Sequence, residues 1–300
     1  MKLVEFDKLK ESIWYNGKFV ACKNAKTHVL DHSIHFASSV FEGIRVYNYV
    51  PFKLDEHIDR FYKSAKLLDY KINYSKEKIK TACRLLIKKN KIKNGYIRPL
   101  SWRTTGSMAP HAIGIKTSTI IAIWEWPTYY SEDAKLKGIK LTLTKWKRPS
   151  NDSAPTQSKC SGVYQICTLA KHDSFRKGFD DALMLDYRDY VAETTSSNIF
   201  FVFKKKIITP KADCFLNGIT RQTVIKISKK LGITVIEKHI KLKDIQSATE
   251  CFITGTAAEV TPVQSIDKLK FNVKNNLITK IIYTKFINQI KNSLKPSKKY

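Results

Sequence analysis

The sequence predicts a two-domain protein mixing α-helices and β-strands: a smaller α+β domain over residues 1–124, a connecting loop over 125–135 and a larger domain over 136–300. Three observations carry this expectation. A chain of 300 residues with 43% hydrophobic content can bury a sizeable core, and at roughly 100–200 residues per domain it divides most naturally in two. Strand-like and helix-like patterns follow one another without strict βαβ alternation, and no GxGxxG is present, which argues against a dinucleotide-binding sheet. The pattern breaks around Trp126-Pro127-Thr128-Tyr129, the expected connection.

The elements follow in order. "IWYNGKFV" sets Asn16-Gly17 between two apolar-aromatic runs, and a type I′ turn needs positive φ at both positions, so the chain should open on a β-hairpin. "DEHIDRFYKSAKLLDY" places Ile58, Phe61, Tyr62, Ala65 and Leu68 at helical spacing, and "KEKIKTACRLLIKKN" repeats the pattern with Ile79, Ala82, Cys83 and Leu86. "GYIRPLSW" and "TSTIIAIWEW" read as strands, completing an α+β unit of about 120 residues. Beyond the break, "GIKLTLTKW" reads as a strand, 162–177 as a helix, and "ALMLDYRDYVAETTSSNIFFVF" as a hairpin-like pair. "GITRQTVIKISKKLG" is a helix with Val224, Ile227, Ser228 and Leu231 inward and Gly232 as its stop. "CFITG" is a strand, a last helix covers about 276–291, and "KPSKKY" is expected to fray.

A net charge of +28, from 54 Lys+Arg against 26 Asp+Glu, suggests an anionic partner such as nucleic acid. The excess is nearly all lysine spread over helix faces, without an RNP-type aromatic motif, paired zinc-ligand spacing or an arginine-rich segment, so solvated faces are the expected reading and no nucleic-acid partner is expected. The six cysteines form no CxxC pair and sit in apolar company, as buried free thiols do in a reducing cytosol. The N-terminus lacks the apolar core of a signal peptide, and no run approaches the ~18 apolar residues of a membrane helix, so no membrane partner is expected.

Four features can carry chemistry. "LNGITR" opens a helix at Gly218, Ile219 and Thr220, where backbone N–H groups, the helix dipole and a hydroxyl converge; it is either a phosphate site or an ordinary cap. "TGTAAE" is a turn with N–H donors after an apolar strand. Glu193 stands just before the strand "NIFFVF", and if buried it needs a cationic partner or a shifted pKa; otherwise it is an exposed turn residue. Lys159, the only Lys or Arg between Arg148 and Lys171, is either a desolvated Schiff-base nucleophile or a lone solvated side chain.

Taken together, "IWYNGKFV", "HVLDHSIHFASSVFEGIRVY", "HIDRFYKSAKLL", "GYIRPL", "SKCSGVY", "ETTSSNIF", "LNGITRQTVI" and "FITGTAAEVTPV" resemble the fold-type IV pyridoxal-phosphate enzymes, most closely their branched-chain amino acid aminotransferases. The resemblance runs over nearly the whole chain. It implies a D-amino acid aminotransferase-like fold, with a smaller N-terminal α+β domain and a larger C-terminal domain that is mixed and β-barrel-like with helices. It also implies pyridoxal 5′-phosphate as cofactor. Lys159 matches the lysine that bonds the cofactor aldehyde and then serves as acid and base at the substrate Cα. Glu193 matches the carboxylate that keeps the pyridine nitrogen protonated, with Asn198 supporting it, and Tyr164 the phenol on the ring oxygen. Arg60 matches the phosphate arginine, and Gly218, Ile219, Thr220 and Thr256 complete the phosphate cup.

On the substrate side the resemblance assigns Phe41 and Gly43 of "VFEGIR", Tyr129 and Trp126 to a pocket for a leucine, isoleucine or valine side chain. Thr256 and Ala257 offer N–H groups to the α-carboxylate, while Tyr96 and Arg98 receive the second carboxylate of glutamate. Phe36 takes a place where relatives often have a tyrosine that reaches into the partner subunit's site, so at least a dimer is expected. Cys160, Ser161, Val163, Thr194 and Asn217 depart from the family's usual residues but keep the reactive side chains. The last segment lacks the Gly-Pro typical there. D-amino acid aminotransferases and aminodeoxychorismate lyases share the lysine and the glutamate, but they usually carry "GDG" where this chain has "FEG" and do not combine it with "YIRP".

Overall fold

In the computed structural model, which describes residues 5–126, 128–204 and 206–294, Asn16 and Gly17 turn the chain with φ of 46° and 93°. The flanking strands β1 (Ser12–Tyr15) and β2 (Lys18–Ala21) pair antiparallel, as the Asn-Gly signal predicts. Two compact units result. The first takes Ser158–Gly162 together with the residues up to Trp126, and the second takes Thr128–Gln157 with those from Val163 onward.

The first unit continues with α1 (His32–Phe36), β3 (Ser39–Phe41), β4 (Ile44–Tyr47), β5 (Val50–Pro51), α2 (Leu54–Leu67), α3 (Lys76–Asn90), β6 (Gly95–Arg103) and β7 (Thr117–Glu125). Its seven strands form an antiparallel sheet in the order β2-β1-β7-β6-β4-β5, with β3 also paired to β6. Side chains alternate across a strand, so the two faces take different work. Ile44, Val46, Ile97, Ile121 and Ile123 meet Ile58, Ile79, Ala82 and Leu86 of α2 and α3 in one buried cluster. Tyr96, Arg98, Leu100 and Trp102 lie on the opposite face, with Phe41 registered across from Leu100.

The second unit holds α4 (Glu132–Lys137), β8 (Ile139–Leu143), α5 (Gln165–Arg176), β9 (Asp181–Leu185), β10 (Val191–Thr194), β11 (Asn198–Phe203), β12 (Lys206–Pro210), α6 (Ile219–Lys230), β13 (Thr234–Lys238), β14 (Glu250–Gly255), β15 (Glu259–Ile266), β16 (Leu269–Lys270) and α7 (Leu277–Ser293). Strands β10-β9-β8-β15-β14-β11 follow one another, and Glu193 of β10 pairs with Asn198 of β11 to close a six-stranded barrel. β8 runs parallel to both β9 and β15, so the barrel is mixed. Its core gathers Ile139, Leu141, Leu183, Ile199, Phe201, Ile253 and Val263.

The expected hairpin-like pair is three strands. The Asp186 carboxylate accepts the N–H groups of Arg188 and Tyr190 to make the first turn, and Thr195–Ser197 make a second turn that no glycine or asparagine announces. The expected helix from 162 opens as a 3-10 turn, Ser161–Tyr164, before α5 begins. Five of the six cysteines are buried and Cys22 is half-buried. No helix among the described residues is long and apolar enough to cross a membrane, and "KPSKKY" lies outside the described residues.

Candidate active site

Lys159 is placed by its backbone. Its N–H donates to Ser64 Oγ of α2 at 3.0 Å, its carbonyl accepts from Phe41 N–H at 3.0 Å, and Cys160 bridges Val40 of β3. Ser158 Oγ also donates to the Ser64 carbonyl, so residues 158–160 run as an extended ribbon against β3 and α2. This explains two departures from the family pattern. Cys160 is a small buried side chain at the ribbon's bridge, and Ser161 shares a 2.6 Å hydroxyl bond with Ser39. The Lys159 ammonium lies 4.7 Å from the centroid of the Phe41 ring, and the Arg98 guanidinium lies 4.8 Å from the same ring.

Tyr96 stands edge-on to Trp126 at 4.7 Å, and Arg98 also covers Tyr96 at 5.4 Å. Arg45 Nη1 donates to the Trp126 carbonyl at 2.6 Å, which fixes the chain there. The Tyr96 phenol lies directly on Gly43, where an added Cβ would fall 1.7 Å from the hydroxyl, so only glycine admits that ring. The first unit thus brings Lys159, Phe41, Gly43, Tyr96, Arg98 and Trp126 into one neighbourhood. Arg60 belongs to it through α2: its Nε and Nη2 donate to the Glu42 carboxylate at 2.6 and 2.9 Å. Phe36 ends α1, stacked on His32 at 4.5 Å and 38% exposed.

The second unit assembles another set. Glu193, buried on β10, accepts from Asn198 Nδ2 at 3.2 Å and lies 3.5 Å from Arg148 Nε. Arg148 is itself 2% exposed and also donates to the Val163 carbonyl and to Cys167 Sγ. Burial alone pulls its pKa down, but Glu193, Cys167 and Tyr164 outweigh that and push it up, so the guanidinium stays charged. That ordering also puts Tyr164 near Arg148. Asn198 Oδ1 accepts from Gly218 N–H at 3.2 Å, while its Nδ2 also donates to the Leu216 carbonyl. One amide therefore ties Glu193 to the start of α6.

At that start, Gly218 is the N-cap and no side chain caps it, so the N–H groups of the first turn keep their capacity for an anion. Ile219 and Thr220 follow as its first residues, both buried; Thr220 is not the cap. Thr256 and Ala257 sit, half-buried, in the turn joining β14 to β15, beside Ser197 through Gly255. Tyr129 lies edge-on to Tyr130 at 4.8 Å in this unit. A Cβ on Gly218 would fall 2.3 Å from Asn198 Oδ1. Gly218→Ala is therefore expected to displace the amide and lower the thermal midpoint by the equivalent of about 1–3 kcal/mol. An unchanged melting curve would speak against the Asn198 bridge.

Arg148, Glu42, His57 and Ser64 were not singled out from sequence. For Arg148 the signal was incomplete: a buried Glu193 demands a cation, but Arg176, Arg188 and Arg221 all stand nearer to it in sequence, so spacing does not pick out Arg148.

One unit holds a closed mixed barrel with a cation-held carboxylate and an uncapped helix N-terminus, the other an antiparallel sheet with a backbone-pinned lysine, and the comparisons with known proteins give the class, a transaminase. The amino-transferase class IV family model matches residues 39–266, and the chain belongs to that family. A probable branched-chain-amino-acid aminotransferase of Rickettsia felis is 44% identical over 268 residues, 89% of this chain and 91% of its own. The structure of the T.th. branched-chain amino acid aminotransferase with pyridoxamine 5′-phosphate superposes with a TM-score of 0.91 at 36% identity, covering 96% of both chains. The same enzyme complexed with N-(5′-phosphopyridoxyl)-L-glutamate gives 0.90 at 35% identity, again over 96% of both chains. A phosphorylated pyridine aldehyde calls for an amine, a carboxylate for its ring nitrogen and donors for its phosphate; the first unit offers Lys159 and Arg60 for such a group, and the second offers the buried Glu193 and the uncapped start of α6.

Proposed function

We propose that the chain is a branched-chain amino acid aminotransferase that moves an amino group reversibly between L-leucine, L-isoleucine or L-valine and 2-oxoglutarate, by a ping-pong mechanism with pyridoxal 5′-phosphate. The observation that carries this reading is Phe41, flanked by the Lys159 amine and by Arg98. A substrate whose Cα meets the amine extends its side chain along an apolar ring toward a guanidinium. An alkyl chain uses the ring and a carboxylate uses the arginine, so one pocket serves both partners of the exchange. The Arg98 Nε is buried without a hydrogen bond among the described residues, which suits a group that awaits a carboxylate.

Bound pyridoxal 5′-phosphate supplies an aldehyde to take up amines and a protonated ring that accepts electron density from the substrate Cα. Lys159 removes and returns the proton at that carbon. Glu193, held by Arg148 and Asn198, keeps the proton on the ring nitrogen, and Tyr164 donates to the ring oxygen. Arg60, the N–H groups of Ile219 and Thr220, and Thr256 hold the phosphate, with Gly218 opening the helix for it. Phe41, Trp126 and Tyr129 enclose the alkyl group beside Gly43. Thr256 and Ala257 bind the α-carboxylate, and Tyr96 and Arg98 the second carboxylate. Phe36 stands with Val29, Leu30 and Ile34 among exposed apolar side chains on one stretch of chain, the surface assigned to self-association in at least a dimer. The proposed compartment is the cytoplasm.

The test is spectroscopic. The purified protein should be yellow, L-leucine should bleach the visible band, and 2-oxoglutarate should restore it; a colourless protein that takes up no cofactor would refute the reading. Arg98→Met is expected to lower kcat/KM for 2-oxoglutarate and glutamate by about a hundredfold while changing that for L-leucine far less. Equal losses for all substrates would remove Arg98 from its assigned role.

A further inference from the structure

We propose that Glu42 is a positioning residue that orients Arg60 toward the cofactor phosphate. The inference rests on Arg60 being the phosphate arginine. Glu42 is completely buried, between Phe41 and Gly43 of the substrate wall. Its Oε1 accepts from Arg60 Nε at 2.6 Å, and its Oε2 accepts from Arg60 Nη2 at 2.9 Å, His57 Nδ1 at 2.8 Å and Gly43 N–H at 3.1 Å. Its own N–H donates to the Pro99 carbonyl at 2.9 Å, so the carboxylate is anchored at both ends.

Burial raises the Glu42 pKa, but the charges and hydrogen bonds of Arg60 and His57 outweigh it and hold the carboxyl well below the usual range. Burial pulls His57 down further than Glu42 lifts it, so the imidazole is neutral. A carboxylate only accepts, so His57 Nδ1 carries the hydrogen that it donates. The Nε–Nη2 edge of the guanidinium is thereby fixed on Glu42. A planar fork held along one edge has its plane and the direction of Nη1 determined, without the rotamer freedom that a free arginine loses on binding.

Glu42 also cancels the positive charge of Arg60, and this gives the proposal a sharp test. If charge alone mattered, Glu42→Gln would tighten phosphate binding; if direction matters, the same change weakens it. The dissociation constant of pyridoxal 5′-phosphate, measured by titrating the resolved apoprotein, should rise about tenfold or more in Glu42→Gln. Adding Glu42→Gln to Arg60→Ala should change it less than twofold, because the residue acts through the arginine. Binding of pyridoxal, which lacks the phosphate, should be the same in wild type and Glu42→Gln. Should Glu42→Gln not fold, Glu42→Asp, which keeps the charge but shortens the reach, should show the same selective loss. Unchanged or tighter cofactor binding in Glu42→Gln overturns the proposal, as does an equal loss in the Arg60→Ala background or for pyridoxal. Wild-type protein that binds no cofactor refutes the functional reading itself, and Arg60→Ala that binds like wild type refutes the arginine assignment and this proposal with it.

Discussion

Lys159→Ala is expected to yield a folded protein whose transaminase turnover has fallen by ~10³-fold or more, since both the covalent hold on the cofactor and the acid–base group at the substrate Cα are lost. The fold should survive, because the hydrogen bonds that seat residue 159 run through its backbone, to Ser64 Oγ and from Phe41 N–H, and alanine makes both. Melting within a degree or two of wild type, measured beside steady-state turnover, separates chemistry from stability. Partial recovery on adding a small primary amine would tie the loss to the missing amine. Full turnover in the alanine variant would end the assignment.

The second large effect is thermodynamic. Arg148→Met should destabilise the protein by about 3–5 kcal/mol, because it strips the buried Glu193 carboxylate of its adjacent cation. Arg148 is as deeply buried as Glu193, and its raised pKa marks it as charged throughout the working range, so the pair is one of opposite charges away from water. Methionine keeps much of the side-chain volume, which isolates the charge. Adding Glu193→Gln to Arg148→Met should recover a good part of the loss, since a neutral amide no longer needs the cation. Thermal or denaturant unfolding of the single and double variants measures this, and additive losses would show that the pair is not coupled.

Much of the local structure that carries the candidate residues was legible in the sequence, and what was not has a common cause. The Asn-Gly hairpin, the helices at 54–67, 76–90 and 219–230, and the turn at 255–258 rest on local chemistry that a single stretch displays. The uncapped start of α6 was half visible: the sequence left a phosphate site and a threonine cap open, and Gly218 as N-cap removes the threonine cap. Ser64 beneath Lys159 is 95 residues away in sequence, and no spacing rule joins them. Glu42 reads as one letter of "FEG" until Arg60 and His57 turn toward it from α2. The net charge of +28 drew attention to lysines on solvated faces, whereas the charges that shape both sets of site residues are few and buried.

The barrel's seam has a kinetic consequence. β10 and β11, which carry Glu193 and Asn198, are neighbours in sequence and close a short loop, so their pairing costs little chain entropy and forms early. β8 pairs in parallel with β15, joining Ile139 to Val263 from opposite ends of the unit, and such long-range parallel pairing is slow. The carboxylate and its amide are thus in place before the ring is shut. Because the turn of Thr256 and Ala257 leads directly into β15, cofactor uptake during refolding should track the slow closure of that seam and not the fast formation of the hairpin.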